Sequence, residues 1–241
     1  MALADRTTRI SIVVPFFDEE AVAGRVVDEI GAALTALDIS LGLAWEAILV
    51  NDGSADSTGE ELARAGGRWP QCRVVNLPKN EGQGVALFHG IRLAASPLIA
   101  TMDGDGQNLP EDIGLLLRFI GHAGMIVGVR ADRKDSGLRR GISRMANAVR
   151  GRMLGDRLSD AGCALKLFRR EAAAGFRPLP MLNCFMPAFA LAGGFRVVEH
   201  AVGHRARPAG RSKYGLRAMS WRPCADLLTV WWMLRRTGAR S

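Results

Sequence analysis

Four short apolar runs, each followed by a polar loop, constrain this chain more than any other feature. Ile10 to Pro15, Trp45 to Val50, Arg73 to Leu77 and Leu98 to Met102 read as strands buried on both faces. Between them, Ala21 to Leu37 places Val22, Val26, Ile30, Ala33, Leu34 and Leu37 at helical spacing. Ser57 to Arg68, capped near Asp56 or Ser57, and Gln83 to Ala94 also read as helices. Strands alternating with helices predict an α/β domain with a mostly parallel central sheet and flanking helices. In such a sheet ligands bind beyond the carboxyl ends of the strands, so the residues just after each run are the ones that matter.

Those residues carry acids. Phe16, Phe17, Asp18, Glu19 and Glu20 close the first run, Asn51-Asp-Gly-Ser54 the second, and Asp103-Gly-Asp-Gly-Gln107 the fourth. Two carboxylates two residues apart after a buried strand can offer hard oxygen ligands to Mg²⁺ or Mn²⁺, with Gln107 as a third oxygen. Taken alone, the same five residues also suit a polar turn. An EF-hand is disfavoured because no Glu stands at the closing position. Asn80-Glu-Gly-Gln-Gly84 opens the third helix, where main-chain N–H groups can meet ligand oxygens.

Charge separates along the chain. The net charge is +8, but residues 130–157 carry +6 and residues 203–241 carry +8, so the remainder is acidic. An acidic body with two basic segments looks less like a nucleic-acid surface than like a catalytic domain whose later half grips phosphate. Aromatic residues make up only 6% of the chain, too few to interleave with its cations for nucleic-acid stacking. Cys72, Cys163, Cys184 and Cys224 form no CxxC pair and suggest no disulfide framework or zinc site. Together with a polar Met1 to Arg9 that lacks a signal-peptide core, they point to a reducing cytoplasm. After Arg130 the pattern is less regular: helical stretches are expected around Ile142 to Leu154 and Arg170 to Gly175, and a late strand within Phe195 to His204.

Several ordered motifs coincide. Ile12-Val-Val-Pro-Phe-Phe-Asp-Glu-Glu20, Leu49 to Thr58, Asn80 to Gly84 and Met102 to Gln107 resemble the family-two inverting glycosyltransferases of GT-A fold. Ser159-Asp-Ala-Gly-Cys-Ala-Leu-Lys-Leu-Phe-Arg-Arg170 and Arg207-Pro-Ala-Gly-Arg-Ser-Lys-Tyr214 narrow the resemblance to the polyprenyl-phosphate branch. That branch includes dolichol-phosphate mannose synthase and the undecaprenyl-phosphate aminoarabinose transferase.

The resemblance implies transfer of a sugar from a nucleotide-sugar donor, with UDP favoured over GDP, to a polyprenyl phosphate acceptor. The alternatives are a GDP-mannose-dependent polyprenyl-phosphate mannosyltransferase and a polysaccharide-type transfer to a sugar hydroxyl. The resemblance to the polyprenyl-phosphate branch also assigns residues. It places Pro15, Phe16, Glu19, Asp52 and Asp103 at the nucleotide, and Asp103, Asp105 and Gln107 at the metal and diphosphate. Arg130, Arg139, Arg207, Ser212 and Lys213 then fall at donor and acceptor phosphates. Phe16 and Asp18 depart from the Tyr and Asn frequent in the first motif. Asp105, Arg130 and Asp160 are the expected catalytic set, with Asp160 either a base, as in hydroxyl-acceptor relatives, or a group that positions Arg or Lys at phosphate. His200 and His204 read as structural or surface residues.

No window reaches the roughly twenty apolar residues that span a bilayer. Ala225 to Leu234, rich in Leu and Trp and followed by Arg235 and Arg236, suits an interfacial amphipathic helix, with core packing as the plainer reading. The expected organisation is therefore a catalytic domain over residues 1–218 and a membrane-interfacial segment over 219–241. Attachment would be peripheral, at the cytoplasmic face of the plasma membrane, to the membrane surface or to a membrane-embedded partner protein.

Overall fold

A computed structural model of the chain describes residues 9–130, 147–207 and 222–236. β1 (Arg9–Phe16), β2 (Ala44–Asn51), β3 (Cys72–Asn76) and β4 (Leu98–Thr101) occupy the four predicted runs within two residues at either end. α1 (Glu20–Leu41), α2 (Thr58–Gly66) and α3 (Gln83–Leu93) lie between them. α1 runs a turn beyond the expected Leu37 and stops at Gly42, whose left-handed φ of 63° lets its N–H return to Asp38 O.

The later half holds elements that the sequence pattern did not expose. α4 (Asp112–Leu117), β5 (Met125–Arg130), β6 (Lys166–Arg169) and α6 (Leu182–Ala192) were not anticipated. The helix expected around 170–175 is instead a single 3₁₀ turn, Arg170–Ala173, because the chain there leaves a four-residue strand and bends at once. Of the stretch around 142–154, residues 147–154 form α5, and 142–146 lie outside the described residues. β7 (Val197–Val202) is the core of the late strand. α7 (Arg222–Arg236) follows, and the boundary expected between 218 and 219 lies outside the described residues.

Among the described residues the strands form one sheet in the order β3-β2-β1-β4-β6-β5-β7. β6 alone is antiparallel to its neighbours, pairing Thr101 on β4 with Lys166 and Val127 on β5 with that same lysine. The α/β, mostly parallel expectation therefore holds. The chain moves outward from β1 to β2 and β3, then returns to place β4 on the other side of β1. The loops after β1 and β4 diverge at this reversal and open a crevice, the usual ligand position in such sheets.

Alternation on β1 builds two cores. Ile10, Ile12, Val14 and Phe16 face α1, where Val22, Val26, Ile30 and Leu34 are buried against them. Val13 faces the other way, with Ile48 and Val50, toward Leu87 and Ile91 of α3 and Phe185 and Phe189 of α6. Each such side chain contributes about 1.5–3 kcal/mol on burial, so the crevice sits on the most heavily anchored strands. α7 packs Val230 and Leu234 onto the second core and leaves Leu228 and Trp232 more than half exposed.

Candidate active site

Four loops meet at the crevice, and hydrogen bonds between them define its floor. Asp18, at φ 45°, donates its N–H to Ser54 Oγ at 3.0 Å and accepts from Ala55 N–H at 2.9 Å. Glu19 N–H meets Thr58 Oγ1 at 2.8 Å, and Asp56 accepts from Thr58 N–H at 3.0 Å and from Glu20 N–H at 3.3 Å. Asp56 thus caps α2 and also ties its start to α1.

Asp52 lies under the third loop. It is 1% exposed and accepts from Glu81 N–H at 2.8 Å, Gly82 N–H at 2.9 Å and Asn80 Nδ2 at 3.1 Å. Burial raises its pKa and those N–H groups oppose the rise. Asp52 therefore orders the Asn80–Gly84 turn at the head of α3, where Gly82 takes a φ of 94°. Phe16 is 1% exposed beneath the acidic loop, and Pro15 is buried beside it.

The acidic loop itself follows β4. Asp103 donates its N–H to Asn108 Oδ1 at 3.0 Å, and its carboxylate accepts from Gln83 Nε2. Asp105 Oδ1 accepts from Gln107 N–H at 3.1 Å. Burial, reinforced by the Asp105 charge, pushes the Asp103 carboxyl up to about 7, although Lys166, Arg130 and the Gln83 hydrogen bond favour its anion. A carboxylate whose charge is disfavoured by burial and by the neighbouring Asp105 fits a hard divalent cation, which would relieve it. Asp103 and Asp105 would hold it. Among the described residues no third acid, His or Cys joins them as a metal cluster. Gln107 turns its amide nitrogen to Arg205 O at 3.2 Å and His204 Nε2 at 3.3 Å, so its carbonyl is the half that a cation would use.

A proton must leave Asp103 before that carboxylate can ligate. Mn²⁺ affinity should therefore fall by about tenfold per pH unit below neutrality, with proton release on binding. A flat affinity between about pH 5 and pH 7 by titration calorimetry would contradict the coupling. Without metal the sign for folding is the opposite one. The Asp103 contribution is most favourable below its ordinary pKa of 3.8 and declines as pH rises to about 7.

Gly104 makes the close packing of this loop on β1 possible. A Cβ there would stand 2.5 Å from the Phe16 ring and 2.7 Å from Pro15 O. Gly104→Ala should lower stability by about 1–3 kcal/mol and weaken nucleotide binding through the displaced carboxylates. Thermal melts with and without UDP and Mn²⁺ check this, and an unchanged melt would remove the packing argument.

Cations approach from two directions. Residues 203–207 cross the acidic loop, with a β-bridge between Asn108 and His204 and an N–H from Arg205 to Gln107 O at 3.0 Å. Arg205 pairs with Glu29, and Arg207 pairs with Glu19 and reaches Asp105 Oδ2 at 3.8 Å. From the other side, Arg130 at the end of β5 forks onto Asp160, Nε to Oδ2 and Nη2 to Oδ1, both at 2.8 Å. This pairing raises the Arg130 pKa further, so the guanidinium is a permanent cation. Glu199 Oε1 accepts from Ser159 N–H at 2.8 Å and Asp160 N–H at 3.1 Å and holds that turn.

Of the expected site residues, Pro15, Phe16, Glu19, Asp52, Asp103, Asp105, Gln107, Arg130, Asp160 and Arg207 gather around this one crevice. Arg139, Ser212 and Lys213 lie outside the described residues. Sequence reasoning missed Gln83, Asn108 and Lys166. Gln83 and Lys166 stood inside quoted motifs, and Asn108 directly followed one, but their type alone assigned them nothing.

The comparisons with known proteins agree with this architecture. The model for glycosyl transferase family 2 matches residues 11–176. Dodecaprenyl-phosphate galacturonate synthase of Rhizobium johnstonii is 38% identical over 237 residues, covering 95% of this chain and 68% of the relative. Undecaprenyl-phosphate 4-deoxy-4-formamido-L-arabinose transferase of Yersinia pestis is 34% identical, covering 90% and 65%. The chain thus spans about two thirds of the length of these curated relatives. Among solved structures, glucosyl-3-phosphoglycerate synthase of Mycobacterium tuberculosis, bound to Mg²⁺ and UDP, superposes with a TM-score of 0.70 at 20% identity, covering 95% of this chain and 82% of that one. A mannosyltransferase of Pyrobaculum calidifontis, bound to GDP-Man and Mn²⁺, gives 0.67 at 18%, covering 97% and 66%. The sheet order, the acidic loop at its reversal and these matches agree: the fold is GT-A, and the chain belongs to glycosyl transferase family 2, as a glycosyltransferase whose curated relatives act on polyprenyl phosphates.

Proposed function

We propose that this chain transfers a sugar, with inversion, from a nucleotide-diphosphate donor to a polyprenyl phosphate. The observation that carries the reading is the Arg130–Asp160 fork. Asp160 is where a hydroxyl-acceptor enzyme would keep its base, and here both of its oxygens hold a guanidinium. A lipid phosphate is already anionic at neutral pH and needs no base, but it does need a fixed cation. A phosphate oxygen attacks the anomeric carbon, the bond from that carbon to the diphosphate oxygen breaks, and the diphosphate leaves with the electron pair. Asp103 and Asp105 would hold a divalent ion, which would supply Lewis-acid stabilisation of that leaving charge. Arg207 stands beside them to meet the same charge, and Glu19 stands at the nucleoside end, which the buried Pro15, Phe16 and Asp52 shape from beneath, Asp52 by ordering the Asn80–Gly84 turn. Arg139, Ser212 and Lys213 complete the phosphate contacts in this reading.

UDP is the favoured donor, supported by the bacterial character of the Ser159–Cys163 segment; the fold itself accommodates UDP in one solved neighbour and GDP-Man in another. Incubating the protein with Mn²⁺, undecaprenyl phosphate and a panel of UDP- and GDP-sugars tests it, with the lipid product read by mass spectrometry. Transfer to a sugar hydroxyl with none to lipid phosphate would overturn the acceptor assignment.

Attachment is proposed as peripheral, on the cytoplasmic membrane face. No helix among the described residues is long and apolar enough to cross a membrane. α7 instead presents Leu228 and Trp232 outward, with Arg236 over the Trp232 ring at 4.7 Å, as a helix at a headgroup boundary would. Anionic liposomes should co-sediment the protein at low salt, and Leu228→Ser with Trp232→Ser should lower the bound fraction several-fold. Equal sedimentation of the variant would assign binding elsewhere.

A further inference from the structure

Lys166 is fully buried, at 0% exposure, on the one antiparallel strand of the sheet. No carboxylate stands within ion-pair distance of it among the described residues; its Nζ donates to Cys163 O and, at 2.7 Å, to Asn183 Oδ1. Burial draws its pKa below the ordinary lysine value. Taking an ammonium out of water costs several kcal/mol even after relaxation, and an apolar residue would serve a core strand better for stability alone. The lysine's partners show what it does instead. Asn183, at the start of α6, turns its Nδ2 to Gly162 O at 3.2 Å, so Lys166 and Asn183 together grip successive carbonyls of the 160–163 turn. Cys163 N–H closes that turn on Asp160 O at 3.1 Å. Its first residue holds Arg130, and a Cβ on Gly162 would stand 3.8 Å from Arg130 Nη2.

We propose that Lys166 and Asn183 are positioning residues for the acceptor phosphate: they clamp the 160–163 turn, the turn aims Asp160, and Asp160 fixes where Arg130 presents its guanidinium. The proposal rests on the lipid-phosphate reading above and adds the residues that set its cation. Lys166 also lies across the β-ladder from Thr101 and Val127, two residues before Asp103 and three before Arg130, so one buried lysine backs both ends of the crevice.

The test pairs a readout that needs no substrate with one that does. The Arg130 Nε–H signal, identified by its loss in Arg130→Lys, reports the fork through its exchange rate. Farnesyl phosphate, a short polyprenyl phosphate, is titrated in the presence of UDP and Mn²⁺. Asn183→Asp keeps an acceptor for Lys166 but loses the donor to Gly162 O, and Lys166→Met keeps the apolar stem. In either variant Arg130 Nε–H exchange should quicken at least tenfold and farnesyl phosphate affinity should fall at least tenfold, with UDP–Mn²⁺ affinity within threefold of wild type. Unchanged exchange in a folded variant overturns the proposal. So does faster exchange with unchanged farnesyl phosphate affinity, and so does an equal loss of UDP–Mn²⁺ and farnesyl phosphate binding, which marks a merely structural role. If wild type binds UDP–Mn²⁺ but not farnesyl phosphate, the lipid-phosphate reading fails, and the exchange arm alone decides whether the clamp aims Arg130.

Discussion

Asp105→Ala should lower sugar transfer by about a thousandfold while leaving a normally folded protein. Its visible part in the fold is small: one hydrogen bond from Gln107 N–H within a loop already held by Asn108 and the 203–207 crossing. Losing such a bond costs about 1 kcal/mol, too little to unfold the domain. Its part in the reaction is larger, because the departing diphosphate gathers negative charge in the transition state. Removing one preorganised group from such a site typically costs about a hundred- to a thousandfold in rate. Loss of a carboxylate would also unbalance Arg207, which sits 3.8 Å from it, so two stabilising charges shift at once. Transfer assays at saturating Mn²⁺, with the melting curve as control, check this. Transfer within threefold of wild type would remove Asp105 from the machinery. Asp103→Asn, in contrast, should leave the fold at least as stable at neutral pH, because burial already disfavours the Asp103 carboxylate and an amide oxygen can still accept from Gln83, while removing a ligand for the divalent ion.

Most of the N-terminal half was legible because its strands are buried on both faces and so read as continuous apolar runs. β1 and β2 are nearly wholly buried, and the loops after them carry the acids that the crevice uses. The second half obscured its strands for physical reasons. β6 is four residues long and reads Lys-Leu-Phe-Arg, with its lysine pointing into the core rather than out of it. β5 contains Gly128, where a Cβ would meet Leu165 O at 2.8 Å and Cys163 Sγ at 2.9 Å, so close strand packing, not propensity, selected the residue. α6 carries Pro187 inside it and depends on the second core for its shape. At the site, residue type indicated the acids and arginines that gather there. Only the fold could reveal that Asp52 is spent on the 80–82 main chain and Asp160 on Arg130. No sequence rule predicts a buried lysine held by a carbonyl and an amide.

The Arg130–Asp160 pair permits the sharpest separation of stability from function. Arg130→Met should destabilise the protein by about 3 kcal/mol, because the Asp160 carboxylate, on a residue only 6% exposed, would lose its forked partner. It should also reduce transfer by about a hundredfold or more, since an anionic acceptor would meet no fixed guanidinium. Those two losses are separable. Replacing a buried ion pair as a whole by apolar residues is often neutral for folding, so Arg130→Met with Asp160→Leu should recover most of the melting temperature. Transfer should stay down in that double variant, because the cation is still missing. Recovery of transfer along with stability would mean that the pair serves only to hold the turn. Asp160→Asn supplies the remaining distinction: an asparagine can still accept from Arg130 but cannot take a proton. If Asp160 positions Arg130, this variant should lose only several-fold in kcat and keep the wild-type shape of its pH–rate profile. Loss of the acidic limb of that profile would make Asp160 a base, and an acceptor hydroxyl would then replace the acceptor phosphate.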